Sequence, residues 1–196
     1  MKLQNVFLSA ILLTGSSLSA SVITYEATLN GPSESPANDS PATGFALVTV
    51  NDLANTMHVQ VTFSGLLGTT TASHIHTPTP APGTGTAGVA TTTPTFAGFP
   101  LGVTSGSFDN TLDLTLASSY NPAFVTATGG TIAGAEAALL AGLASDEAYL
   151  NIHTTVVPGG EIRGFLVPVP EPSKLGLASL ALAGLLAFGY RRRVSA

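Results

Sequence analysis

From Thr56 to Phe63 the chain alternates: Met57, Val59, Val61 and Phe63 hold one parity, and His58, Gln60 and Thr62 hold the other. Successive side chains of a strand point to opposite faces, so a period of two commits this segment to a sheet with one face buried. Similar short runs cover Val22–Leu29, Phe45–Val50, Ser73–His76, Ser105–Phe108, Thr111–Leu116, Tyr149–Thr154 and Glu161–Val167, with Leu112, Leu114 and Leu116 giving another expected apolar face. Clusters of Gly, Pro, Asn and Thr separate them, the pattern of an all-β antiparallel β-sandwich. Asn51-Asp52-Leu53-Ala54-Asn55 reads as a hairpin loop between two strands. One segment breaks the pattern. Ile132, Glu136, Leu139, Leu140 and Leu143 follow a 3.6-residue period among alanines and predict one short helix capping the sandwich. The stretch from Thr77 to Pro100, rich in Thr, Pro and Gly, reads mostly as loop, and no internal repeat is visible.

Both ends differ from this middle. Met1-Lys2, the apolar run Val6 to Leu13, and the small residues from Gly15 to Ser21 form an n-region, an h-region and a cleavage region, so residues 1–21 are expected to be a signal peptide removed by signal peptidase. At the other end an apolar stretch runs from Leu175 to Tyr190 and is followed by Arg191-Arg192-Arg193. Its residues at about 1.5 Å each make roughly 24 Å of helix, near the roughly 30 Å hydrocarbon core once flanking residues such as a snorkelling Lys174 extend it. A transmembrane helix is therefore expected at about residues 174–190, with the arginines held on the cytoplasmic side. Pro170-Glu171-Pro172, the Gly/Ala/Leu-rich span and the terminal Arg191, Arg192 and Arg193 together resemble the PEP-CTERM sorting signal of Gram-negative bacteria. That resemblance implies an exosortase as partner, transient residence in the inner membrane, and delivery to the cell surface or extracellular matrix.

Between the ends, ten acids face a single base, Arg163, for a net charge of −9. Such a surface repels phosphate, which excludes nucleic acid as a partner. The chain has no cysteine, so no disulfide supports an exported fold and stability must come from an ordinary core. Arg163 is expected to pair with an acid, Glu161 being nearest on its strand face. No Gly-X-Ser-X-Gly elbow, P-loop, His-Glu-X-X-His or EF-hand loop occurs, and the sequence favours a noncatalytic role.

Two histidine-bearing motifs remain. One is Ala72-Ser73-His74-Ile75-His76; the other is Tyr149-Leu150-Asn151-Ile152-His153-Thr154 followed by Pro158-Gly159-Gly160-Glu161-Ile162-Arg163-Gly164. Together they resemble the CHRD (chordin-type) domain over roughly Tyr25 to Leu166, which implies a domain at residues 22–167 and a sorting segment at 168–196. The resemblance carries no established enzymatic activity and no established cofactor. It implies a surface or matrix module, with extracellular polysaccharide or surface proteins as partners. Gly159, Gly160, Glu161 and Arg163 are read as its structural motif, the glycines serving a tight turn. His74 and His76 share a strand face, and His153 shares one with Asn151; if the strands approach, three imidazoles converge, a set suited to zinc or copper. Binding would then weaken below the imidazole range near about 6.5. The plainer alternative is that the three histidines only bond neighbouring backbone. His58, on the outer parity of its strand, is given no role. The order of these elements also resembles copper/zinc superoxide dismutase in part, so a sandwich of that kind or an immunoglobulin-like Greek key is expected. A metal-dependent redox protein is the alternative function, although that enzyme's cysteines and bridging histidine have no counterpart here.

Overall fold

The computed structural model describes residues 22–170. The expected signal peptide, Glu171, Pro172, the apolar span and Arg191, Arg192 and Arg193 lie outside the described residues, and Pro170 is the last of them. In chain order the elements are β1 (Val22–Asn30), β2 (Thr43–Asn51), β3 (Thr56–Ser64), β4 (Thr70–His76), β5 (Gly106–Asp113), α1 (Pro122–Ala127), α2 (Ile132–Ala144), β6 (Tyr149–Thr154), β7 (Ile162–Phe165) and β8 (Val167–Pro168). Among the described residues no helix is long and apolar enough to cross a membrane.

These eight strands join one antiparallel sheet in the order β4-β6-β7-β1-β2-β3-β5, with β8 on β1. The sheet curls on itself, because Val59 and Val61 near one end share a single core with Ile75 and Ile152 near the other. Its two edges are also tied: Thr70 at the start of β4 donates to the Val103 carbonyl at 2.8 Å and accepts from Gly102 N–H at 2.9 Å, just before β5 begins. The outcome is a sandwich-like β fold made from one continuous sheet, in which β1 to β8 all pair.

Parity in β3 is as the sequence implies. Met57, Val59, Val61 and Phe63 are buried and face Val50, Val48, Ala46 and Gly44 of β2. His58 lies on the outer face, where its Nε2 is 2.7 Å from Asp109. The β2–β3 hairpin closes with the Asn51 side chain accepting from Ala54 N–H at 3.0 Å.

Two expectations are corrected. The segments Ser105–Phe108 and Thr111–Leu116 are not separate strands; Gly106–Asp113 is one strand paired along its length with β3. It stops because Asp113 accepts from both the N–H (2.9 Å) and the hydroxyl (2.6 Å) of Thr115, turning the chain so that Leu116 is 51% exposed while Leu114 stays buried. Among the described residues there are two α-helices where the sequence predicted one. Asn121 caps α1 by accepting from Ala123 N–H at 3.0 Å, and Pro122 takes the first helical turn, where its missing N–H costs nothing. In α2, Thr131 caps Gly134 N–H at 3.1 Å, and Ala135, Leu139 and Leu143 are buried against the core.

The loop from Thr77 to Pro100 protects an edge. β4 ends the sheet, and its free side is covered by residues 87–96: Ala90 N–H donates to the Ile75 carbonyl (2.9 Å), Ile75 N–H to the Thr91 hydroxyl (3.0 Å) and Ser73 N–H to the Thr95 hydroxyl (3.0 Å). Phe96 anchors this cover, buried with its ring 5.5 Å from Phe108.

Candidate metal centre

β4 and β6 are neighbours, with Ala72 opposite His153, His74 opposite Asn151 and His76 opposite Tyr149. That register brings His74, His76 and His153 together: one ring nitrogen from each lies within 4.8 Å of the others. The strand parity behind this is visible in the burial of Ile75, Leu150 and Ile152, which fill the core on the opposite side.

The hydrogen bonds decide which nitrogens are free to bind. His74 Nε2 is 2.7 Å from the Pro94 carbonyl, His76 Nδ1 is 2.9 Å from the Ala87 carbonyl, and His153 Nδ1 is 2.9 Å from the Pro158 carbonyl. A carbonyl oxygen can only accept, so each of these nitrogens carries the proton and donates. The other nitrogens, His74 Nδ1, His76 Nε2 and His153 Nε2, are thereby bare lone pairs; all three are buried and have no hydrogen-bond partner among the described residues. Backbone carbonyls holding the outer N–H of each ring are the usual support for imidazole ligands.

Electrostatics agree with neutral rings. Burial holds the His74 imidazole down to about 4, with further lowering from His153 and His76, even though its bond to Pro94 opposes the shift. Burial also lowers His76 and His153. The titration range near 6.5 expected from sequence is corrected accordingly, since leaving water disfavours the imidazolium.

Behind His76 lies a stack. Tyr149 sits parallel to its ring at 4.8 Å between centroids, and Arg163 lies over the Tyr149 ring at 4.6 Å. Arg163 is buried; its guanidinium donates to the carbonyls of Ser33 and of Gly85 (3.0 Å), and its acidic partner is Glu34 at 3.8 Å, not Glu161 as expected. Burial raises the Glu34 carboxyl to about 7 against the pull of Arg163.

Glu161 instead forms a clip of its own. Fully buried, it accepts from the Ser40 hydroxyl (2.7 Å), Leu67 N–H (2.6 Å), Gly68 N–H (3.2 Å) and the Thr154 hydroxyl (2.6 Å). Those bonds hold its pKa below the ordinary carboxylate value despite burial. Gly160 has φ +130°, and a Cβ there would stand 2.6 Å from Glu34 Oε1 and 2.8 Å from Asn151 Nδ2, so both backbone and space require glycine. Gly159 is not so confined.

Sequence reasoning thus finds the three imidazoles but misses Asn151, Tyr149 and Glu34 around them. Asn151 carried a signal, the parity it shares with His153; Glu34 carried none, because it sits in the β1–β2 connection, whose path only the tertiary structure defines. No curated protein and no solved structure matches the chain. A family model, the CHRD domain, matches residues 25–166, a span that holds all three histidines and the sheet from Tyr25 of β1 through β7. By that match the chain belongs to the CHRD domain family.

Proposed function

We propose that this chain is an exported, noncatalytic CHRD module of a cell surface or extracellular matrix, sorted by an exosortase, and that its chemical asset is a site for one transition-metal ion, zinc or copper. The observation that carries the metal reading is the set of three bare, buried imidazole nitrogens whose outer N–H groups are all committed to backbone carbonyls. Lone pairs that face one another with no donor between them repel, and a cation relieves this. An ion bonded at about 2.0–2.1 Å to each nitrogen would draw together three atoms that lie within 4.8 Å of one another. Among the described residues no second cluster of three or more His, Cys, Asp or Glu donors accompanies this one, which favours binding over two-metal redox chemistry. The export and sorting parts of the reading rest on the sequence of the two ends.

Titration calorimetry of the full chain in detergent, with zinc and copper in turn, tests the metal site. One equivalent should bind, and His74→Ala, His76→Ala and His153→Ala should each remove most of the affinity, while His58→Ala binds normally. No saturable heat, or unchanged binding by His74→Ala, ends the metal reading.

A further inference from the structure

The three histidines do not complete the pocket they face. Asn151 stands two residues before His153 on β6, on the same strand face, and directly opposite His74 across the β4–β6 ladder. It is 2% exposed, and its Oδ1 is buried with no hydrogen-bond partner among the described residues. Its register places it on the strand face that carries His74 and His76.

The two ends of an amide have the same shape, so their surroundings select the orientation. The Nδ2 end lies on the Gly160 side, where a Cβ would stand 2.8 Å from Nδ2 and 2.6 Å from Glu34 Oε1, a carboxyl oxygen with no hydrogen-bond partner among the described residues. The acceptor on that side favours the NH2 end, which leaves Oδ1 for the histidine side. No histidine can satisfy it there, because all three ring N–H groups already serve the Pro94, Ala87 and Pro158 carbonyls. Four buried acceptors, three nitrogens and one oxygen, therefore gather here without a hydrogen-bond partner among the described residues.

Building on the metal reading above, we infer that Asn151 Oδ1 is a fourth ligand of the centre, completing a neutral three-nitrogen, one-oxygen donor set for a divalent first-row ion. The amide oxygen is a hard donor, which suits zinc, cobalt(II) or copper(II) better than a soft monovalent ion.

Cobalt(II) supplies the spectroscopic probe and zinc competition the affinity, both with the full chain in detergent. Asn151→Ala should weaken zinc binding by roughly tenfold or more and change the visible cobalt bands, since water must replace the amide oxygen. Asn151→Asp keeps the shape and an inward oxygen while adding charge, so it should bind zinc more tightly than the parent. Unchanged affinity and an unchanged cobalt spectrum in Asn151→Ala would overturn the assignment. If the alanine variant does not fold, the aspartate variant decides alone: tighter binding supports an oxygen ligand, and equal or weaker binding refutes it, as it would if Asn151 merely donated N–H to a ring. Loss of all binding in the parent chain would instead remove the metal site itself, a failure distinct from that of the fourth ligand.

Discussion

Replacing Glu161 by glutamine changes one atom in the most enclosed charge of the fold. The carboxylate meets four donors, two at each oxygen: Ser40 hydroxyl and Leu67 N–H at Oε1, Gly68 N–H and Thr154 hydroxyl at Oε2. A backbone N–H cannot reverse its role. Whichever way a glutamine amide turns, its NH2 faces one of those N–H groups and leaves it buried without an acceptor. The hydroxyls have little freedom to adapt, because Ser40 Oγ already accepts from Ala42 N–H (3.2 Å) and Thr154 Oγ1 from Val157 N–H (3.1 Å). An unsatisfied buried donor costs about 1–3 kcal/mol, and hydrogen bonds to a charged group lose strength when the charge goes, so Glu161→Gln should cost about 3 kcal/mol. Glu161→Ala abandons all four donors, which span the β1–β2 connection, the β3–β4 connection and β6, and should cost roughly 4–5 kcal/mol. Urea unfolding of residues 22–169, followed by circular dichroism, reads both as shifts of midpoint at constant slope. The effect also depends on pH. The folded carboxyl titrates below its ordinary value of 4.5, so in the window just beneath that value the unfolded chain binds more protons. This contribution is present above 4.5 and is lost as pH falls toward the folded pKa, and Glu161→Gln should flatten that part of the profile. A glutamine variant within about 0.5 kcal/mol of the parent would refute the idea that the clip acts as an ionised carboxylate.

Acid should also act through the histidines, in the same direction. His74 is held down to about 4 when folded and rises to 6.5 when unfolded, so the metal-free domain should lose stability as pH falls from 6.5 toward 4, and His74→Phe should blunt that loss in a pH series of melts. Metal binding should accordingly survive well below pH 6.5; calorimetry showing it already lost at pH 6 would contradict neutral, buried ligands. Ile152→Ala should cost roughly 2–5 kcal/mol, because its side chain is fully enclosed. His58→Ala, on the surface beside Asp109, should change stability by no more than about 0.5 kcal/mol, and a thermal melt ranking the two the other way would mean the faces of β3 and β6 are misassigned. Replacing Pro170, Glu171 and Pro172 by alanine should leave export intact while the unprocessed, cell-associated form accumulates; normal processing in the native host would sink the sorting proposal.

Side-chain parity was legible without coordinates. Alternation in Met57 to Phe63 told which face of β3 is buried, and the i, i+2 rule put His74 with His76 and His153 with Asn151 on shared faces. The β2–β3 hairpin and α2 were equally plain, since turn residues and a 3.6-residue period act over neighbouring positions. Local rules weakened where a side chain overruled the run: Asp113 capturing Thr115 ended β5 before Leu116, and Asn121-Pro122, given no reading from sequence, capped a helix. What joined the two histidine strands was long-range, a ladder between β4 and β6 separated by more than seventy residues. Only that pairing, with the loop carbonyls of Ala87, Pro94 and Pro158 laid behind the rings, determined which nitrogen of each imidazole is bare. The same long-range closure sent Arg163 to Glu34 and left Glu161 to backbone and hydroxyl donors. Charge and parity are properties of a residue and its neighbours in sequence; a partner is chosen by what the folded chain brings within hydrogen-bonding distance, and in this protein those partners come from loops whose course no local pattern encodes.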